Sequence, residues 1–258
     1  MKVTLLGTGT PQPDLRRMPS ACIVHTPLGP WLVDCGDGAL WMLMRAGIAP
    51  QTVRHLIFTH LHADHTLGYM PFVAGGHQLG RESLHVWGPA RTLHMHQQLQ
   101  DFYANDGGAA NGMAEVVLKP YMEGTVFDQR GLLIDALPVR HSTETYALRF
   151  RAGGHSIVHS ADTAYHEPLI EFARGADLLI HSAMAVTAMR EHWGRRWDDV
   201  HAIMATPAEA GRVARLAQVQ KLVLVHLPPQ ADAADILSEC RGEFGGEIIV
   251  GEDLLNVA

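Results

Sequence analysis

The chain is poor in the features that announce several common classes of protein. Its 258 residues hold three cysteines, Cys22, Cys35 and Cys240, odd in number and scattered. Without a Cys-x-x-Cys pair or an even set they exclude a disulfide framework and suit a reducing compartment. No apolar run reaches the roughly 18 residues that suggest a membrane span. The N-terminal stretch Val3–Leu6 is too short for a signal peptide. Lysine and arginine form no run and the net charge is −7, so no phosphate-tracking surface is advertised. Gly7-x-Gly9 lacks the third glycine and following helix of a dinucleotide fingerprint. These absences lead to the expectation of a cytoplasmic protein acting on a small molecule, with nucleic acid disfavoured and no membrane as partner.

What is present is an ordinary globular composition, 47% hydrophobic and 18% charged, with enough apolar mass for a core. Short apolar runs alternate with Gly/Pro turns in the first half: Val3–Leu6, Ala21–His25, Trp31–Cys35 and Leu56–Thr59 read as strands. Gly38–Ala46 and Ala90–Tyr103 read as helices, and His94 and His96 on the latter as surface residues. Asn105–Gly112 reads as a flexible loop. In the second half Leu132–Val139, Tyr146–Arg151, Ser156–His159, Leu178–His181 and Leu222–His226 read as strands. Pro207–Ala217 and Ala231–Cys240 read as helices. Strand-rich openings followed by strand–helix alternation in both halves predict an α/β fold. It is an αββα sandwich of two packed mixed sheets with helices on the outer faces, one domain over residues 1–258.

The strongest chemical signal is His60-Leu61-His62-Ala63-Asp64-His65. Three imidazoles and a carboxylate within six residues directly follow an apolar strand. Imidazole and carboxylate are the common nitrogen and oxygen ligands of divalent ions. His60 and His62 can converge on one ion, and Asp64 and His65, past the turn, on a second. Three further donors stand at the ends of later strands: His141, Asp162 and His226. Strand ends bring distant residues to one edge of a sheet.

This ordered set resembles the metallo-β-lactamase-fold hydrolases, in the branch of ribonuclease Z, arylsulfatase-like and phosphodiesterase-like enzymes. Leu6-Gly7-Thr8-Gly9-Thr10-Pro11, Asp34-Cys35-Gly36-Asp37-Gly38, Phe58-Thr59-His60 and Ser160-Ala161-Asp162-Thr163 support the resemblance. It implies that His60, His62 and His141 hold one metal, that Asp64, His65 and His226 hold a second, and that Asp162 bridges them. Zinc is the default ion, with manganese, iron or nickel as alternatives. It also implies a homodimer, by analogy only.

The expected activity is dinuclear metal-dependent hydrolysis of an ester-type bond in a small molecule by a hydroxide held between the ions. A phosphodiester or sulfate ester ranks first, a lactone or carboxylic ester second. tRNA 3′-processing is disfavoured: only 20 residues separate His141 from Asp162, where ribonucleases Z carry a basic arm. His-Ser-Ala-Met stands at 181–184 and Met-Ala-Thr at 204–206 in place of two family stretches. An iron-dependent oxidoreductase is the alternative of another class, disfavoured by His62 where such relatives carry glutamate. Beyond the metal ligand Asp64, the candidates for proton handling or substrate contact are His181, His201 and Tyr165, each of which also reads as a structural residue. Asp34 and Thr59 are candidates to orient ligand histidines, or simply turn residues. Trp193, Trp197, Met184 and Met189 read equally as pocket or core.

Overall fold

A computed structural model of the chain describes residues 1–104 and 115–258. The expected loop Asn105–Gly112 lies outside the described residues. The first sheet contains β1 (Lys2–Gly7), β2 (Ala21–Thr26), β3 (Gly29–Val33), β4 (His55–Ile57), β5 (Ser83–Gly88) and β6 (Glu115–Pro120), with β14 (Asn256–Val257) added beside β1. The second contains β7 (Gly124–Gln129), β8 (Leu132–Pro138), β9 (Tyr146–Ala152), β10 (His155–His159), β11 (Leu178–Ser182), β12 (Lys221–Val225) and β13 (Glu247–Val250). Each sheet is antiparallel where hairpins build it and parallel where helices intervene: β3 to β6 in the first, β10 to β13 in the second. Parallel neighbours need a crossover, so their carboxyl ends all open on one edge.

Strand alternation sorts side chains into three layers. Trp31, Val33 and Ile57 face Ile134, Phe150, Ile157 and Ile180 between the sheets. Leu32, Leu56 and Val86 point outward, under α1 (Ala39–Arg45) and α3 (Tyr69–Gln78). Leu179, Leu222 and Leu224 pack under α5 (Pro168–Phe172), α8 (Pro207–Leu216) and α9 (Ala233–Arg241). Each such aliphatic side chain contributes about 1.5–3 kcal/mol on burial. α8 starts sharply because Pro207 is its first residue and Thr206 and Glu209 form a reciprocal capping box.

Two features have no counterpart in the sequence reading, β7 and Arg81, and one departs from it, His96. β7 is an edge strand with mostly exposed side chains, so it carries no apolar run to read. His96, on α4 (Ala90–Ala104), is buried rather than on the surface, its Nδ1 2.6 Å from the Tyr69 hydroxyl. Arg81 is also buried, its guanidinium donating to the carbonyls of Pro50, Val53, Phe72 and Val73.

Candidate metal centre

The seven donors read from the sequence meet at the carboxyl edge of the parallel strands. His60 stands three residues past β4. His62 leads into the single turn α2 (Ala63–Thr66), which carries Asp64 and His65. His141 follows β8, Asp162 follows β10 and His226 directly follows β12. Three sets have their donor atoms within 4.8 Å of one another: His60, His62 and His141; His60, His65 and Asp162; and Asp64, His65 and His226.

Spacing tests whether these atoms suit a metal. A tetrahedral ion with bonds of 2.0–2.1 Å separates two of its ligands by about 3.3 Å. His62 Nδ1 and His141 Nε2 are 3.1 Å apart. His226 Nε2 lies 3.0 Å from Asp64 Oδ2 and 3.2 Å from Asp162 Oδ2. His65 Nε2 lies 3.6 Å and 3.5 Å from the same two carboxylate oxygens. The Nε2 atoms of His60 and His65 are buried without a hydrogen-bond partner, a costly state for a polar atom unless something else takes its lone pair. The donor set fits divalent ions.

The outer ring nitrogens of His60, His65 and His141 are held from behind, whereas Nδ1 of His226 is buried without a partner. Asp34 Oδ1 accepts the Thr59 N–H at 2.7 Å, and Oδ2 accepts the Thr59 hydroxyl at 2.8 Å and His65 Nδ1–H at 2.7 Å. The Thr59 oxygen in turn accepts from His60 Nδ1, 2.9 Å away. This chain of bonds assigns His60 and His65 the tautomer that leaves Nε2 free for a metal. His141 Nδ1–H donates to the Ile203 carbonyl at 3.0 Å. Asp34 and Thr59 are therefore orienting residues as well as turn residues.

Backbone geometry fixes these positions too. Asp34, Ala161 and His226 have φ of 57°, 55° and 57°, in the left-handed region that costs an L-residue roughly 1–2 kcal/mol. The turn bearing Asp34 docks onto the histidine motif: Cys35 N–H donates to the His65 carbonyl and Gly68 N–H to the Cys35 carbonyl. Gly36 and Gly68 allow this approach, since a Cβ on Gly68 would overlap the Gly36 carbonyl oxygen.

Electrostatics favour cationic occupancy. Burial keeps His60 well below the usual imidazole range, so it stays neutral, and burial lowers His62 as well. Burial raises the Asp162 carboxyl, but His226 and His65 outweigh it and hold the group well below the usual carboxylate range. Burial likewise disfavours His65 as a cation, yet Asp162 and Asp34 push it well above. The carboxylates thus draw positive charge into the cluster, and a divalent ion displaces protons on binding.

The other candidates separate. Tyr165 packs against the outer helical layer with Arg212 over its ring at 5.3 Å. His181 is fully buried on the helix-facing side of β11, the side Leu179 takes. Its Nδ1–H donates to the Ser182 carbonyl, and burial lowers its pKa to about 4. His201, on α7 (Arg195–His201), is half-buried and has Nε2 3.1 Å from Glu209. It lies two residues from Ile203, which supports His141. Trp197 is core, its ring 4.6 Å from that of His201. Met189 is also core, and Trp193 packs at its edge. Sequence reasoning missed His159, on the same face of β10 as Ile157. Its Nδ1 accepts the Ala161 N–H at 3.0 Å. The alternation of that strand was the available signal.

Residues 31–227 match the family described as the β-lactamase superfamily domain. A protein named Ribonuclease Z from Methanosarcina acetivorans is 30% identical across all of this chain and 97% of its own length. One of the same name from Mycobacterium marinum is 30% identical across all of this chain and 98% of its own. The metallo-β-lactamase fold protein YhfI from Bacillus subtilis superposes with a TM-score of 0.82 at 24% identity, over 99% of this chain and 98% of that one. These relatives overturn the expectation of a small-molecule substrate with nucleic acid disfavoured. The mycobacterial alignment spans only 275 positions against 258 residues here. A short chain is therefore compatible with the ribonuclease name. Among the described residues no helix is long and apolar enough to cross a membrane.

Proposed function

This chain belongs to the metallo-β-lactamase superfamily, and we propose that it is a metal-dependent phosphodiesterase acting on RNA. The observation that carries the hydrolytic reading is the convergence of His60, His62 and His141, and of Asp64, His65 and His226, with Asp162 between them. Two zinc ions are the natural occupants of such mixed nitrogen and oxygen donors. Bound there, divalent ions supply Lewis acidity and a water activated near neutral pH.

The chain's own residues do the rest. Asp34 and Thr59 keep His60 and His65 in the ligating tautomer. In hydrolysis a water oxygen joins phosphorus, one P–O ester bond breaks and the departing oxygen takes a proton. His201, held by Glu209 and half open to solvent, is the residue suited to deliver it. The RNA reading is supported by the full-length similarity to proteins named Ribonuclease Z. The ester alternatives rest on chemistry that the same site permits, without a comparable similarity.

The test is cleavage by zinc-reconstituted protein of a precursor tRNA and of an unstructured RNA, with bis(p-nitrophenyl) phosphate as a small phosphodiester. RNA cleavage abolished by Asp162→Ala is the expected result. Hydrolysis of the small ester without cleavage of either RNA would refute the RNA reading. Fewer than about one bound ion per chain would refute the metal reading.

A further inference from the structure

We propose that His159 is a positioning residue for Asp162, acting through the backbone of Ala161. The inference rests on the metal-centre reading and is independent of the substrate. His159 closes β10, and its Nδ1 accepts the Ala161 N–H at 3.0 Å. Ala161 is the left-handed residue immediately before Asp162. Its carbonyl is gripped as well, accepting the Ser160 hydroxyl at 2.6 Å. Ser160 is anchored to β11, its N–H donating to the Ile180 carbonyl at 2.8 Å and its Oγ accepting the Ser182 N–H at 3.0 Å.

Both ends of residue 161 are therefore fixed, one by an imidazole and one by a hydroxyl tied to the neighbouring strand. A residue held at positive φ without glycine persists only when its surroundings over-determine it. The next side chain is Asp162, whose Oδ2 lies within 4.0 Å of ring nitrogens on His65, His141 and His226. A small rotation at Ala161 would swing that oxygen away from donors on both sides. The His159 ring also lines the cavity of about 20 Å³ shared with Asp34, Ser182 and His226. It sits behind the donors and makes no hydrogen bond to any of them. Its contribution is the acceptor at Nδ1, which requires the tautomer protonated at Nε2.

Three variants separate this acceptor from mere bulk. In His159→Asn the side-chain oxygen can occupy the place of Nδ1. In His159→Gln the oxygen falls further out, near the place of Nε2. His159→Leu keeps bulk and has no acceptor. Each is stripped of metal, its melting temperature recorded, and zinc affinity measured by competition with a fluorescent chelator. We expect His159→Asn to stay within about threefold of the parent. His159→Gln and His159→Leu should lose about 10–100-fold in affinity for at least one ion, the range for partners that orient metal ligands. Parent-like affinity in His159→Leu or in His159→Gln would overturn the proposal, as would equal loss in all three. If His159→Leu fails to fold, the Asn and Gln variants decide. Because the readout is metal affinity, the result stands even if RNA is not the substrate.

Discussion

Asp34 and His65 meet at 2.7 Å through Oδ2 and Nδ1, both side chains almost wholly enclosed. One carboxylate thereby governs two ligand histidines, His65 directly and His60 through Thr59. Asp34→Ala should weaken zinc binding by about 10–100-fold. Chelator competition checks this, and an unchanged affinity would remove Asp34 from the centre.

Gly68→Ala should cost roughly 1–3 kcal/mol. The new methyl group meets the Gly36 carbonyl oxygen and forces apart the Asp34 turn and the histidine motif. Denaturant melts give the stability loss, and metal analysis should record lower occupancy in the same protein.

His201→Ala should lower kcat on RNA by about 10²–10⁴-fold, the usual contribution of a positioned proton donor, with zinc content unchanged. A change in KM alone would assign the residue to binding instead.

The seven donors were legible because a strand followed at once by His60-x-His62-x-Asp64-His65 leaves little other use for those side chains. His141, Asp162 and His226 were legible as strand-end residues. The layers followed from apolar runs such as Leu222–Val225. What escaped has physical causes. The exposed edge strand Gly124–Gln129 has little apolar face to show. Arg81 is a lone cation, ordinarily solvated, and only tertiary packing reveals the carbonyls around it. His159 lay inside an apolar run, where its direction depends on which sheet covers which face. Substrate class was misjudged because net charge is a property of the whole surface and does not describe one rim.

Arg81→Met should destabilise the protein by about 3 kcal/mol or more. It removes the four hydrogen bonds that the guanidinium donates to the carbonyls of Pro50, Val53, Phe72 and Val73, each bond to a charged group contributing about 1.5–3 kcal/mol. The loss is offset in part because Pro50 keeps the Val53 N–H and Phe72 and Val73 stay within α3. Urea denaturation measures this. A neutral result would mean that the backbone partners of those carbonyls, or water, suffice without the guanidinium.

His55 sets part of the acid stability. Its ring stacks on Trp31 at 4.2 Å, and burial lowers its pKa from 6.5 to about 4. The unfolded chain therefore takes up a proton below 6.5 that the folded chain refuses until about 4. The stabilisation is complete above 6.5, falls as pH drops through that window and levels off below it. His55→Phe, which keeps a ring, should flatten the melting-temperature profile between those pH values. An unchanged slope would assign the effect elsewhere.

The left-handed backbone at Asp34, Ala161 and His226 has a consequence for assembly order. Conformational strain at these three strand ends is carried by the sandwich itself, so the ligand cradle is shaped during folding and before any ion arrives. Such a scaffold is expected to exchange its ion without refolding, and the ion bound would then depend on supply as much as on the order of intrinsic affinities.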